Sequence, residues 1–182
     1  MISRTGTEAV NEAVLRAKDP YYPPRATIPG DVESYSMNYI DGEFKDVADL
    51  QASPFPVFIG MKAYITKTIR KDIDYINGMQ VTIQGWNSRT QAVRVETKSG
   101  RIFDMTKWCD LDLNGMVYYP LRIGYASTIL RMAGAELDHV TVYLDYPNVA
   151  AAAYTAMSRV ATLKQIAFGG KITADHFAPA RG

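Results

Sequence analysis

Arg159 stands where a charged side chain could act on a phosphate group, at the end of a helix that the alanine-rich residues 149–156 predict. A planar, permanently charged guanidinium suits the negative charge that develops on a transferring phosphoryl group. The same position also suits a cation that the helix macrodipole stabilises. The spacing of the residues alone favours this second, structural role.

Four residues that precede Arg159 in the sequence are of types that could bind a phosphate or a sugar: Ser127, Thr128, Gly134 and Glu136. Ser127 and Thr128 open a predicted helical segment, where hydroxyl and backbone N–H groups can bind a phosphate or simply cap the helix. Gly134 would let the backbone approach a phosphate closely, or it ends the helix. The Glu136 carboxylate could accept hydrogen bonds from both hydroxyls of a ribose, or it is a solvated acid.

Predicted strands and helices alternate around these residues. Residues 121–126 and 139–144 predict strands, and the segment from Ser127 to Gly134 predicts a helix. Asn148 is the predicted N-cap of the helix that Arg159 ends. This order predicts a parallel α/β sheet, whose ligands lie at the carboxyl ends of the strands.

Residues 60–110 have a different pattern, in which apolar and polar residues alternate. They predict four strands, at residues 61–69, 81–86, 92–97 and 101–108. Such short antiparallel strands suggest a small closed barrel. The segment carries nine basic and five acidic side chains, a charge of +4, which suits a solvated face or a surface for nucleic acid.

The first 59 residues begin with a predicted amphipathic helix at residues 5–17, whose apolar face holds Val10, Ala13, Val14 and Ala17. Six prolines then interrupt residues 19–57. Proline at this density predicts mostly loop, with a short strand at residues 27–28.

The composition is that of an ordinary globular protein, with 47% hydrophobic and 21% charged residues and a net charge of +1. No run of about 18 apolar residues is present, so we expect no membrane partner. The single cysteine, Cys109, excludes an internal disulfide and suits a reducing compartment, so we expect an intracellular protein of the nucleus or cytoplasm. Two histidines and one cysteine, scattered along the chain, predict no metal site.

The order and spacing of these segments resemble superfamily 1 DNA helicases, and most of all their RecD/Pif-type branch. In that branch a T-I-H-K-x-Q-G turn, a GxEL step, a strand and a helix reading A-Y-x-A-x-S-R follow one another. The corresponding residues here are 127–137, STILRMAGAEL, and 153–159, AYTAMSR. Residues 57–86 also resemble the entry to the SH3-like barrel of those helicases.

The resemblance implies an α/β fold. Residues 1–59 and 113–182 would form the second RecA-like domain of such a helicase, a P-loop-NTPase-type parallel sheet that lacks its own phosphate loop. Residues 60–112 would form the inserted SH3-like β-barrel. The resemblance further implies a 5′-to-3′ DNA helicase with a role in DNA repair and recombination.

The resemblance also assigns roles to the residues of the nucleotide site. Arg159 would be the arginine finger that reaches the γ-phosphate of ATP. Gly134 and Glu136 would lie near the nucleotide, with the Glu136 carboxylate on the ribose.

A second set of residues would contact single-stranded DNA, through the hydroxyls of Ser127 and Thr128 and the charge of Arg131. The chain departs from the family at this point. Leu130, Arg131 and Ala133 replace the histidine, lysine and glutamine of the relatives. Because Leu130 and Ala133 lack polar groups, the coupling between ATP and DNA is in question.

The sequence has no G-x-x-x-x-G-K-[ST] phosphate loop. ATP and Mg²⁺ would therefore be held only in the complete enzyme, with none bound by this chain alone. The implied partners are single-stranded DNA and a first RecA-like helicase domain, in the same or a separate chain. The alternative is a degenerate, non-hydrolysing module that binds nucleic acid or protein.

We expect this chain alone to hydrolyse no ATP, with or without single-stranded DNA. One arginine cannot position Mg²⁺ and three phosphates without a phosphate loop. The measurement is phosphate release by the purified chain. DNA-stimulated turnover that disappears in an Arg159→Ala variant would contradict this expectation.

Overall fold

The computed structural model describes residues 4–18, 23–32, 39–40, 43–44, 51–129, 132, 137–144 and 151–179. The chain folds as two compact units. The terminal unit comprises Met1–Ala17 and Tyr125–Gly182, and the sheet unit comprises Lys18–Gly124. The predicted domain limits of 1–59, 60–112 and 113–182 stay a prediction. None of the helices in the described ranges is long and apolar enough to cross a membrane.

The sheet unit is built on five antiparallel strands that bury alternate side chains. The strands are β5 (Lys62–Ile65), β6 (Gln80–Asn87), β7 (Ala92–Thr97), β8 (Ile102–Met105) and β11 (Leu121–Ile123), in the order β11-β5-β6-β7-β8. Val81, Ile83, Val93 and Val95 are at most 1% exposed and form the core face. The four strands predicted from alternation are therefore present, but β5 and β8 are only four residues long, against predictions of 61–69 and 101–108. In the described residues this sheet is open, and the SH3-like barrel stays a prediction.

The predicted parallel pairing of the strand at residues 121–126 is wrong. The strand exists as β11, but it pairs antiparallel with β5, Leu121 facing Ile65, and not in a parallel sheet. At its end, the Gly124 N–H donates to the Lys62 carbonyl at 2.8 Å. A Cβ on Gly124 would lie 2.8 Å from the Ala63 backbone, so only glycine permits this approach.

Two strands pair in the proline-rich segment, one that extends the predicted strand at residues 27–28 and one where loop was predicted. They are β1 (Ala26–Val32) and β4 (Ala52–Val57), with Thr27 opposite Pro56 and Pro29 opposite Pro54. A proline has no N–H, so these pairs are the ones that exchange no hydrogen bonds. The Pro29 carbonyl instead accepts from the Tyr119 N–H at 2.8 Å.

Four shorter strands complete the sheet unit within the described residues. Strands β2 (Tyr39–Ile40) and β3 (Glu43–Phe44) pair with each other, as do β9 (Trp108–Asp110) and β10 (Met116–Tyr118). The β9–β10 pair is held by the buried Asp110, which accepts from the Tyr118 hydroxyl at 2.7 Å and pairs with Lys67 at 2.8 Å. Burial opposes ionisation of Asp110, but the bonds from Lys67 and Tyr118 outweigh it and lower its pKa.

A second buried ion pair joins β1 to β11. The Arg122 Nε lies 2.6 Å from the Asp31 carboxylate, and Arg122 Nη2 donates to the Val32 carbonyl at 3.0 Å. Burial raises the pKa of Asp31 above its ordinary 3.8, even though the charge and hydrogen bond of Arg122 act to lower it. Arg122 is thus the largest of the contributions that favour the ionised form of Asp31, which Thr66 and Lys67 also favour.

The terminal unit contains α1 (Arg4–Lys18), β12 (Val140–Leu144), α2 (Ala152–Met157) and β13 (Ile166–Gly170). Strands β12 and β13 are parallel. The alanine-rich helix α2 packs its buried Ala156 against Val142 and Leu144 of β12. The predicted strand at 139–144 and the helix that leads to Arg159 are thus confirmed.

The N-terminal helix is confirmed as α1, but its predicted buried face is wrong. Val10 is 39% exposed, and Ala13 and Ala17 are exposed as well. Of the predicted apolar face only Val14 is half-buried, and the most buried of the helix's described side chains is that of Asn11, which is 9% exposed. An asparagine that finds hydrogen-bond partners can occupy a buried face that hydropathy alone assigns elsewhere.

The predicted helix at residues 127–134 is wrong at its start, since residues 127–129 are not helical. The remainder of that segment lies outside the described residues, except for Met132. Asn148, the predicted N-cap, also lies outside them. The N-cap position of α2 is occupied by Ala151, with φ 58°.

We expect Arg122→Met to destabilise the sheet unit by about 3 kcal/mol, because it leaves Asp31 buried and unpaired. The difference in free energy of unfolding between the variant and the unmodified chain should become smaller as the pH falls toward 3.8, the ordinary pKa of Asp31. The reason is that a neutral carboxyl needs no charged partner. Urea denaturation at several pH values measures both effects.

The matched control is Arg94→Met. Arg94 also pairs with a carboxylate, Asp104, at 2.8 Å, but its side chain is 60% exposed. Removing this exposed ion pair should lower the free energy of unfolding far less than Arg122→Met does. Equal losses in the two variants would contradict the importance of the buried pair.

Candidate functional site

A small pocket in the terminal unit brings two of the predicted residues together. Its volume is about 40 Å³, and Ser127 and Arg159 both line it, with Thr141 as a further polar residue. Apolar side chains form the rest of its wall: Ile129, Met132, Leu137, Val140, Val142 and Ala156. A polar rim on an apolar wall, next to a cation, suits a small anionic group better than a bulky one.

The Arg159 guanidinium is held by neutral oxygen atoms. Its Nε donates to the Thr155 carbonyl and to Ser158 Oγ, each at 3.2 Å, and Nη2 donates to Ser158 Oγ at 2.7 Å. Nη1 lies 3.4 Å from the Met132 carbonyl. None of the ion pairs within the described ranges involves Arg159. Its positive charge is therefore oriented but not neutralised by these contacts.

The position of Arg159 follows from the packing of α2. Ala152, Ala153 and Ala156 are buried, and their small side chains let the helix lie close to the sheet. The Ala151 N–H donates to the Ala178 carbonyl at 2.8 Å, which fixes the start of the helix. After its last turn, the Arg159 carbonyl accepts from the Leu137 N–H at 2.8 Å.

Ser127 and Thr128 differ in exposure. Thr128 is 8% exposed, whereas Ser127 is half-buried and lines the pocket. Of these two hydroxyls, that of Ser127 is the better placed for an external phosphate.

Asn11 is a site residue that the sequence analysis missed. Its Nδ2 donates to the Ala126 carbonyl at 3.2 Å, and its Oδ1 accepts from the Ala126 N–H at 2.9 Å. Ala126 directly precedes Ser127. Asn11 lies between Val10 and Glu12 in a predicted helix, and a polar residue in that position is usually solvated.

Three predicted site residues, Arg131, Gly134 and Glu136, lie outside the described residues. Their roles stay predictions. Of the predicted site residues, the structure therefore brings together Ser127 and Arg159 in one pocket, and Thr128 follows Ser127 in the chain.

Four of the nine basic side chains in residues 60–110 pair with carboxylates, and one of them is Lys67, which pairs with Asp110. Ion pairs join Arg70 to Asp72 at 2.6 Å, Arg94 to Asp104 at 2.8 Å, and Arg101 to Asp74 at 3.5 Å. The hydrogen bond from Arg70 lowers the pKa of Asp72 below its ordinary value. Both interpretations of the +4 segment, a solvated face and a nucleic-acid surface, stay predictions.

The fold of the chain resembles part of several solved helicase structures. No protein-family model and no curated protein matches its sequence. Among solved structures, it resembles the Pif1 helicase of Bacteroides bound to single-stranded DNA, with a TM-score of 0.67 and 17% identity. That match covers 98% of this chain and 42% of the helicase.

Two further structures give the same result. The Pif1 helicase of Candida albicans matches with a TM-score of 0.66 and 15% identity, over 100% of this chain and 46% of its own. Bacteroides Pif1 in complex with ADP-AlF3 and single-stranded DNA matches with a TM-score of 0.65 and 15% identity, over 98% and 41%. The suspected resemblance to Pif-type helicases is confirmed for the fold. The chain spans less than half the length of these helicases.

Proposed function

We propose that this chain is the second RecA-like domain, with its inserted SH3-like barrel, of an ATP-dependent 5′-to-3′ DNA helicase. The observation that carries the proposal is that Ser127 and Arg159 line one pocket beside the parallel strands. These are residues that the helicase motifs assign to DNA and to ATP. The likeness of the fold to Pif1 structures, including those with single-stranded DNA and ADP-AlF3, supports it.

The proposed role of Arg159 is that of an arginine finger. A guanidinium oriented by neutral acceptors keeps its charge for the γ-phosphate, where negative charge accumulates during transfer. Arginine fingers accelerate hydrolysis by roughly 10³–10⁵. In this proposal the first RecA-like domain holds ATP and Mg²⁺, and Gly134 and Glu136 contact the nucleotide from this side.

The proposed role of Ser127, Thr128 and Arg131 is half of a track for single-stranded DNA. Backbone N–H groups, hydroxyls and one cation bind phosphates without reading the bases. The other half would come from the first RecA-like domain. Closing and opening of the cleft by ATP would then move the strand.

A second candidate is a degenerate, non-hydrolysing module that binds nucleic acid or protein. Leu130 and Ala133 favour it, because apolar side chains stand where relatives have histidine and glutamine. The two candidates differ in whether Arg159 affects ATP hydrolysis.

We expect Arg159→Ala to lower kcat for ATP hydrolysis by a factor on the order of 10³ when the chain acts with a phosphate-loop domain. Nucleotide affinity should stay within about tenfold, because a finger acts mainly on transition-state charge. The measurement is kcat and nucleotide Kd in parallel. Lys164→Ala, at an exposed cation of the same unit, is the control. An equal loss in kcat and affinity would assign Arg159 to binding or folding.

We expect this chain alone to bind single-stranded DNA weakly and without sequence preference. For single strands, each neutralised phosphate contributes about −0.7 to the slope of the logarithm of the binding constant against the logarithm of the salt concentration. Half of a track therefore predicts a slope magnitude of about 1–2. The Kd should be no tighter than roughly 10⁻⁴–10⁻⁶ M. Labelled oligonucleotide titrated at several salt concentrations measures both.

Single substitutions in the two units test which residues contact the single-stranded DNA. Arg131→Ala should lower the slope by somewhat under one unit, whereas Lys98→Ala or Arg101→Ala should do less. Arg101 is already paired with Asp74. Should the Lys98 and Arg101 variants remove most of the binding, the track lies on the sheet unit.

A further inference from the structure

Asn11 uses both polar atoms of its side chain on the main chain of one residue. It accepts from the Ala126 N–H at 2.9 Å and donates to the Ala126 carbonyl at 3.2 Å. The two residues are 115 positions apart in the sequence. With 9% of its surface exposed, Asn11 makes these bonds away from bulk water.

This pairing reproduces what a neighbouring strand would supply. An amide that offers one donor and one acceptor satisfies the N–H and C=O of a single residue, as a ladder pair does. Residues 126–129 belong to no helix or strand. The bonds from Asn11 therefore take the place of secondary structure for Ala126, since buried main-chain groups need partners.

We propose that Asn11 is the positioning residue for the phosphate contact of Ser127. By fixing the Ala126 main chain, it sets the location of the next residue, whose side chain lines the pocket with Arg159. In this proposal, Asn11 joins helix α1 to Ala126 by hydrogen bonds, and the helix itself does not contact DNA. The inference rests on the proposed function and deepens it, because it says what holds the DNA contact in place.

A double-mutant cycle on the full chain tests this, with a labelled oligothymidylate as the probe. Asn11→Leu keeps the size of the side chain and removes both hydrogen bonds, and Ser127→Ala removes the hydroxyl. Each single variant should weaken binding about fivefold, the contribution of one hydrogen bond. The double variant should bind within about twofold of Asn11→Leu alone, because the second change removes a contact already lost.

The control is Glu12→Ala. Glu12 is the next residue on α1, is exposed, and pairs with Arg16 at 2.5 Å. The Glu12→Ala variant should bind the oligonucleotide with the same affinity as the unmodified chain. Melting curves and amide exchange of Val142 and Leu144 verify that each variant is folded.

The outcomes separate the inference from the function it rests on. If the two effects multiply to about 25-fold, Asn11 and Ser127 act independently and the inference is overturned. If Ser127→Ala alone has no effect, the proposed DNA contact is wrong and the inference falls with it.

A second variant covers the case in which Asn11→Leu does not fold. Asn11→Asp keeps the acceptor for the Ala126 N–H and loses the donor to its carbonyl. Amide exchange at Ser127 should accelerate in this variant while exchange at Val142 is unchanged. Equal acceleration at both would mean that Asn11 stabilises the whole unit and does not position Ser127.

Discussion

The packing of α2 on the parallel strands β12 and β13 is the constraint on which the candidate site depends. Buried alanines bring the helix close to the sheet, because a larger side chain at Ala156 would have to displace Val142 or Leu144. The end of the helix is then fixed by the bond from the Leu137 N–H to the Arg159 carbonyl. The guanidinium is thus placed beside Ser127 by main-chain geometry as well as by its own hydrogen bonds.

Charge is distributed differently in the two units. In the sheet unit Arg70, Arg94 and Arg101 pair with aspartates, so their fields are largely cancelled at short range. In the terminal unit Arg159 is held by carbonyl and hydroxyl oxygens. A cation with neutral partners exerts more force on an incoming anion than a cation that is already paired. The proposed phosphate contact of Arg159 therefore lies outside the segment in which the basic residues are most numerous.

The sequence predicted the elements whose signal is local. Alternating residues and Asn-Gly or Ser-Gly turns specify β5 to β8, since period two needs no knowledge of the partner strand. Strand β11 was found but not its partner, because a short apolar run is the same in a parallel and an antiparallel sheet. Strand β4 was missed because its prolines occupy positions whose missing N–H costs nothing, which only the register reveals.

For the candidate site, the sequence named residues and the structure shows which of them share a pocket. Arg159 and Ser127 came from a motif, and their meeting in one pocket is a property of the fold. Asn11 could not be predicted, because its meaning depends on Ala126, 115 residues away.

In the proposed division of labour between two domains, this chain supplies the guanidinium of Arg159. A single guanidinium attracts a phosphate but cannot orient Mg²⁺, and no cluster of metal-binding side chains occurs in the described part of the chain. Hydrolysis would then require closure against a second surface that carries the phosphates. Leu130 and Ala133 offer no polar group to relay DNA contact to the nucleotide. On this proposal, the relay would run through the main chain from Ala126 to Ile129, the segment whose start Asn11 holds.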